Sequence, residues 1–246
     1  MALAACRALL AEGKTVLFNS FDIPHPSEAE SLGIPFFDLD LEHSATEYMG
    51  RKLHSPTVAS WIMKTPFFNA LFAMLPGLGQ MILLGHVLDR LEKDPELHIV
   101  LDSPASGHTL SMFESTHNFH EMFKSGILAD DIKKMHAWLS DPGFMHVNVV
   151  SLPTKMAVQE GQELANELTQ LGLPKPRHWL NNSLLDNEEI KNHGDETLPD
   201  FLASKTQFEK ELRSEFKFEL VVPHIADADF SNVVKGTSKA IQGETL

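Results

Sequence analysis

The chain has 246 residues, 43% of them hydrophobic, and its 20 Lys+Arg against 34 Asp+Glu give a net charge of −14. That length buries a sizeable core, as one large domain or a domain with a small insertion, and the charge argues against nucleic acid or an anionic membrane as partner, because no basic footprint is present. The single cysteine, Cys6, excludes an internal disulfide and a cysteine-built zinc or arsenite cage within one chain, and suits a reducing, cytoplasmic location.

The first expected element is a helix over residues 2–12, with Leu3, Cys6 and Leu10 on one face and Gly13 ending it. Arg7 and Glu12 interrupt its apolar run and no basic region precedes it, so it does not read as a signal peptide. "TVLFNSF" (15–21) suits a short buried strand. Ser44 and Glu47 have capping-box spacing, which predicts a helix start there. Residues 56–75 and 78–92 read as two apolar helices around Pro76-Gly77, a breaker that also argues against a membrane span over 67–88. "LHIVLDSP" (97–104) is a second strand, and residues 114–139 are polar and helical.

"HVNVVSLP" (146–153) is a third strand. In the amphipathic helix that follows, Ala157, Gly161, Leu164, Leu168 and Leu171 line one face, and Leu173-Pro174 stops it. "RHWLNNSLL" (177–185) is a fourth strand, residues 186–200 a polar loop, 201–215 a helix, "FELVVPHI" (218–225) a fifth strand, and the tail from Asp229 a short or frayed helix. Such alternation predicts an α/β fold with a doubly wound, mostly parallel sheet, whose ligands bind at the carboxyl ends of strands.

The strand ends are therefore the places to look. Asp22 follows the first strand and His25 the loop after it; the acid can polarise a water or hold a metal, or simply form an Asx-turn. Asp102 ends the second strand, at the position where a carboxylate holds Mg²⁺ directly or through water; the alternative is a strand-to-helix turn capped by Asp102 or Ser106. A Ser-His-Asp triad from Asp102, Ser106 and His108 is excluded by their crowding on one loop. His117 and His120 can share a helix face, but no third metal ligand stands out, which favours packed or solvated rings. Asn181 and Asn182 end the fourth strand, where amides either read a base or satisfy the loop backbone.

Taken together, several stretches resemble the arsenical pump-driving ATPase family, which includes the ATPases that target tail-anchored membrane proteins. "LDSPASGHTLSMFE" (101–114) is similar to the family's switch II, and "VLFNSFDIPHPSEAESLG" (16–33) to its switch I. "LPGLGQMILLGHVLDRL" (75–91) resembles its Pro-Gly helix, residues 149–174 its strand-Pro-helix unit, and "LNNSLL" (180–185) its nucleotide-reading Asn strand. The likeness spans about residues 1–235 and implies a single ATPase-like α/β domain of the P-loop NTPase type over 1–246, with a small helical insertion around 50–92 and 112–140. It implies Mg²⁺ and ATP as cofactors, a homodimer, and a hydrophobic or membrane-protein client. By that resemblance Asp22 is the acid that polarises the attacking water and Asp102 the acid near Mg²⁺. Gly107 and His108 sense the γ-phosphate, Asn182 (or Asn181) contacts adenine, and Pro223 sits beside the base.

The chain departs from the family in five places. Gly79-Gln80 replaces acidic residues, switch I reads D-I-P-H, the segment between switch II and the third strand is short, and the zinc and arsenite cysteines are absent, which removes arsenite activation. The largest departure is the phosphate loop: "MALAACRALLAEGKTVL" aligns with the helix and strand that follow it, and the family's first strand, which lies centrally beside the switch II strand, has no counterpart. Two expectations follow: an ATPase whose start has been taken at an internal Met, or a non-hydrolysing relative acting as scaffold or partner. In either case the sheet is expected to show two unpaired edges.

Overall fold

Gly13, at φ 78°, takes the chain out of helix α1 (Ala2–Ala11) and into strand β1 (Thr15–Ser20). This positive φ is open to glycine without a Cβ penalty, so the residue marks the helix end. The computed structural model describes residues 1–21, 27–39, 41–52, 54–66, 77–103, 106–122, 125, 129–192 and 198–244. These divide into two compact units, Lys14–Leu139, and Ser140–Leu246 together with Met1–Gly13.

In the Lys14–Leu139 unit, β1 runs parallel to β2 (Leu97–Asp102), in register from Thr15 opposite Leu97 to Ser20 opposite Asp102. On the other side of β1 the Phe18 N–H donates to Pro35 O at 2.8 Å and the Phe37 N–H to Phe18 O at 3.1 Å. Short α2 (Ser27–Ser31) precedes this contact, and α3 (Leu41–Lys52) and α4 (Pro56–Met63) follow it. Helix α5 (Leu78–Lys93) buries Leu78, Met81, Leu84, Val87 and Leu88, the 3–4 residue spacing of one helix face. Helix α6 (Ser106–Met122) packs against α5 and α7 (Ala129–Leu139), and α7 contributes Ala129, Ile132, Met135 and Leu139 to the interior.

In the other unit, β3 (Asn148–Ser151), β4 (Arg177–Ser183) and β5 (Leu220–Pro223) form a parallel sheet with β4 in the centre. His178, Trp179 and Leu180 are buried in succession, so both faces of β4 are covered. Helix α8 (Lys155–Gln170), capped by Thr154, lies on β3 and β4, and α10 (Asp200–Glu215) adds Leu212 to a core shared with Val158 and Leu180. Short α9 (Glu188–Asn192) precedes α10, and α11 (Phe230–Ile241) packs on β5 and α1.

The chain is therefore mixed α/β with parallel strands, as expected. The strands lie in two sheets, β1-β2 and β3-β4-β5, with no described strand pairing the free edge of β2 or of β3. Four local expectations change. Helix α1 buries Ala4, Cys6, Ala8 and Leu9 rather than Leu3 and Leu10, because a close-packed face selects small side chains. Ser44 is a buried interior residue of α3 and not a cap, since that helix starts at Leu41. Helix α6 begins at Ser106, well before residue 114, and the loop over 186–200 contains α9. The tail helix is a full element, with Asp229 accepting from the Ser231 N–H at 2.8 Å.

Candidate functional site

Polar groups gather at two strand ends. In the Lys14–Leu139 unit, β2 delivers Asp102 to its carboxyl end, opposite Ser20 of β1. No hydrogen bond or ion pair from a described residue reaches the Asp102 carboxylate. The residue is exposed, yet partial burial of its carboxyl group raises the pKa above the ordinary carboxylate value. Gly107 lies in the first turn of α6, exposed, and a Cβ there would meet nothing within 4 Å. Ser111 Oγ donates back to Gly107 O at 3.0 Å, one of the i−4 hydroxyl bonds common in helices. The His108 backbone is in this turn; its side chain, and all of Asp22 and His25, lie outside the described residues.

The second strand end is more elaborate. Asn182, next to last in β4, adopts φ 70°, a left-handed conformation that asparagine tolerates better than most residues. A register shift in the β4–β5 pairing accompanies it, and Ser183 pairs with Pro223. Asn182 Oδ1 and His224 Nδ1 are 2.5 Å apart, so the imidazole N–H donates to the amide oxygen. The His224 N–H donates to Ser183 O at 2.8 Å, and Asn187 Nδ2 to His224 O at 2.9 Å.

Beneath this turn lies Glu209 of α10, 1% exposed. It accepts from Ser183 Oγ at 2.5 Å, the Leu184 N–H at 2.9 Å and the Leu185 N–H at 3.4 Å, and Arg213 Nη1 stands 3.5 Å away. Arg213 also donates to Asp186 at 2.8 Å, and Lys191 lies 3.0 Å from the same carboxylate. Burial alone would raise the Asp186 pKa, but Lys191 and Arg213 outweigh it and hold the carboxyl below its ordinary value. The turn that presents Asn182 is thus bound to α10 by a satisfied, charge-balanced network.

Of the residues singled out from sequence, Asn182 and Pro223 both stand at the carboxyl ends of the adjacent strands β4 and β5, Asn181 precedes Asn182 half-buried, and Asp102 and Gly107 sit at the β2–α6 junction of the other unit. Sequence reasoning missed Glu209, Asp186 and His224. Glu209 carried a signal: it occupies the buried stripe of α10 with Thr206 and Leu212, where an acid demands partners. His117 and His120 gain a neighbour that sequence did not reveal, His136 of α7. Among the described residues, however, no three His, Cys, Asp or Glu side chains are arranged to hold a metal ion. Gly13-Lys14-Thr15 leaves a helix and enters a strand, the reverse of a phosphate loop, which leaves a strand and enters a helix.

No family model matches the chain, and a search of curated proteins returns no relative. Among the described residues no helix is long and apolar enough to cross a membrane. The stretch 67–76 lies outside them.

Proposed function

We propose that the chain is an ATP-binding protein of the arsenical pump-driving (anion-transporting) ATPase type, a cytoplasmic homodimer that couples nucleotide state to a hydrophobic or membrane-protein client. The observation that carries this reading is that Asn182, held by His224, and Pro223 both stand at the carboxyl ends of adjacent parallel strands, the position where open α/β sheets take ligands. His224 engages the amide oxygen of Asn182, which leaves the amide N–H groups to donate to a ring nitrogen of a base. Pro223 offers a flat apolar surface beside it.

Asp102 fits Mg²⁺ by donor chemistry, as a hard carboxylate oxygen at a strand end. When bound, Mg²⁺ neutralises phosphate charge. Gly107 and His108, in the first turn of α6, would read the terminal phosphate, and Asp22 would orient the attacking water. No described strand pairs the outer edge of β2, the edge beside which the family's additional central strand would lie.

A second reading is favoured by a specific observation. Residues 1–246 contain no G-x-x-x-x-G-K-[ST] run, and Gly79-Gln80 replaces the family's acids. On that reading the chain is a non-hydrolysing relative, a scaffold or partner. Calorimetric titration of the full chain with MgATP and MgADP separates the possibilities. The nucleotide reading expects saturable binding that Asn182→Ala weakens about tenfold, the loss of roughly one hydrogen bond to the base. Absence of binding at millimolar nucleotide, or equal binding by Asn182→Ala, removes the nucleotide site. Phosphate release by the same polypeptide would instead exclude the non-hydrolysing form.

A further inference from the structure

Helices α6 and α7 meet through three histidines. The rings of His120 and His136 stack with centroids 4.2 Å apart and 18° between their planes, and His117 lies 5.9 Å from His136. Nδ1 of His117 and of His120 are both buried without a hydrogen-bond partner. The rings of His120 and His136 stack rather than converge on a common ion, so the cluster is a packing contact between α6 and α7.

We propose that His136, packed against His117 and His120, forms an acid-sensitive latch between α6 and α7, closed while its ring is neutral and released when it takes up a proton. A proton on His136 puts a positive charge against the stacked ring of His120, in a contact whose two buried Nδ1 atoms have no hydrogen-bond partner, and so favours separation of the two helices.

The surroundings do not offset this. Of the groups acting on His136, burial weighs most and lowers its pKa, His120 and His117 lower it further, and only Glu121 opposes them. Across the junction, Lys134 of α7 is ion-paired with Glu92 of α5, and Tyr48 of α3 donates to Asp131. On α5, Arg90 stacks on Phe37, and His86 faces Glu47 of α3 at 3.5 Å. A histidine whose folded pKa is depressed binds protons more readily in the unfolded state. The stability it lends is present above the unfolded value and lost as pH falls through that value toward the folded one. Because α6 begins just beyond Asp102, release of the latch acts on the same helix that fronts the β2 strand end.

The test is hydrogen exchange with mass spectrometry on the full chain at pH 7.5 and 5.5, corrected for the intrinsic pH dependence. Segments covering α6 and α7 are expected to exchange at least about tenfold faster at pH 5.5 while those covering β3, β4 and β5 hold their protection. His136→Phe, which keeps a flat ring without a titrating nitrogen, should suppress the change. His120→Gln serves the same purpose if that variant fails to fold at pH 7.5. Unchanged protection of α6 and α7, loss spread evenly over every segment, or equal loss in the variant would overturn the latch.

Discussion

The carboxyl ends of β4 and β2 are built in opposite ways. At β4 the turn is bound by a buried polar network: Glu209 gathers Ser183 and two backbone N–H groups, and Arg213 bridges it to Asp186. At β2 the Asp102 carboxylate has no hydrogen bond to a described residue, burial raises its pKa, and a Cβ at Gly107 in the adjoining helix would meet nothing within 4 Å. A satisfied network fixes the direction in which Asn182 points and holds a left-handed backbone in place. An acid left unpaired keeps its lone pairs for something else and lowers stability while it waits. The first end is a rigid mount for a neighbouring residue; the second has the character of a ligand-facing group.

The comparison can be broken most forcefully at Glu209. Glu209→Ala strips acceptors from Ser183 Oγ and the Leu184 and Leu185 N–H groups, and takes a buried charge partner from Arg213. A loss of about 3–4 kcal/mol is expected in urea unfolding, because donors left bare in the interior cost more than the bonds contributed. If the loss is below about 1 kcal/mol, the network does not hold the β4 turn. The next effect in size lies under α8, which approaches β3 and β4 closely at Gly161. A Cβ at that position would lie 2.4 Å from Ser151 Oγ and 2.8 Å from His178 Nε2, two atoms that bond each other at 2.8 Å. Gly161→Ala should therefore cost a net of about 1–2 kcal/mol despite the better helix propensity of alanine. Removing the obstructing hydroxyl with Ser151→Gly in the same chain should recover part of it, and additive losses would show that the contact is not the cause.

Much of this was legible in the sequence, and the exceptions have physical reasons. The five strands were readable from short apolar runs, and Asp102, Asn182 and Pro223 stand at the strand ends where they were sought. Helix α8 was readable from its amphipathic period, although its buried line passes through Val158 rather than Ala157. Pairing was not legible. Which strands pair depends on contacts between distant segments, so the division into a β1-β2 and a β3-β4-β5 sheet has no local signal. The same applies to His136, whose stacking partner lies on another helix, and to Glu209, which only tertiary packing brings under Ser183. Ser44 misled because capping-box spacing recurs by chance inside helices, where its hydroxyl is buried instead of capping.

The smallest expected effect bears directly on the open strand end. A carboxyl whose folded pKa is raised adds stability only in its protonated form. That contribution is complete below the unfolded pKa and is lost as pH rises through the folded one. At pH 7 Asp102 is therefore a net burden, and the isosteric Asp102→Asn, which mimics the protonated acid, should be slightly more stable than the native chain. Because the residue is exposed, solvent screening limits the gain to about 0.5 kcal/mol or less. The gain should shrink toward zero as the pH is lowered to the carboxylate range, as read from urea midpoints at pH 7 and pH 4.5. If Asp102→Asn is instead less stable at pH 7, the carboxylate already has a favourable partner within the fold. The contrast between a satisfied β4 end and an unpaired β2 end would then collapse, and with it the argument that Asp102 is kept free for a cation.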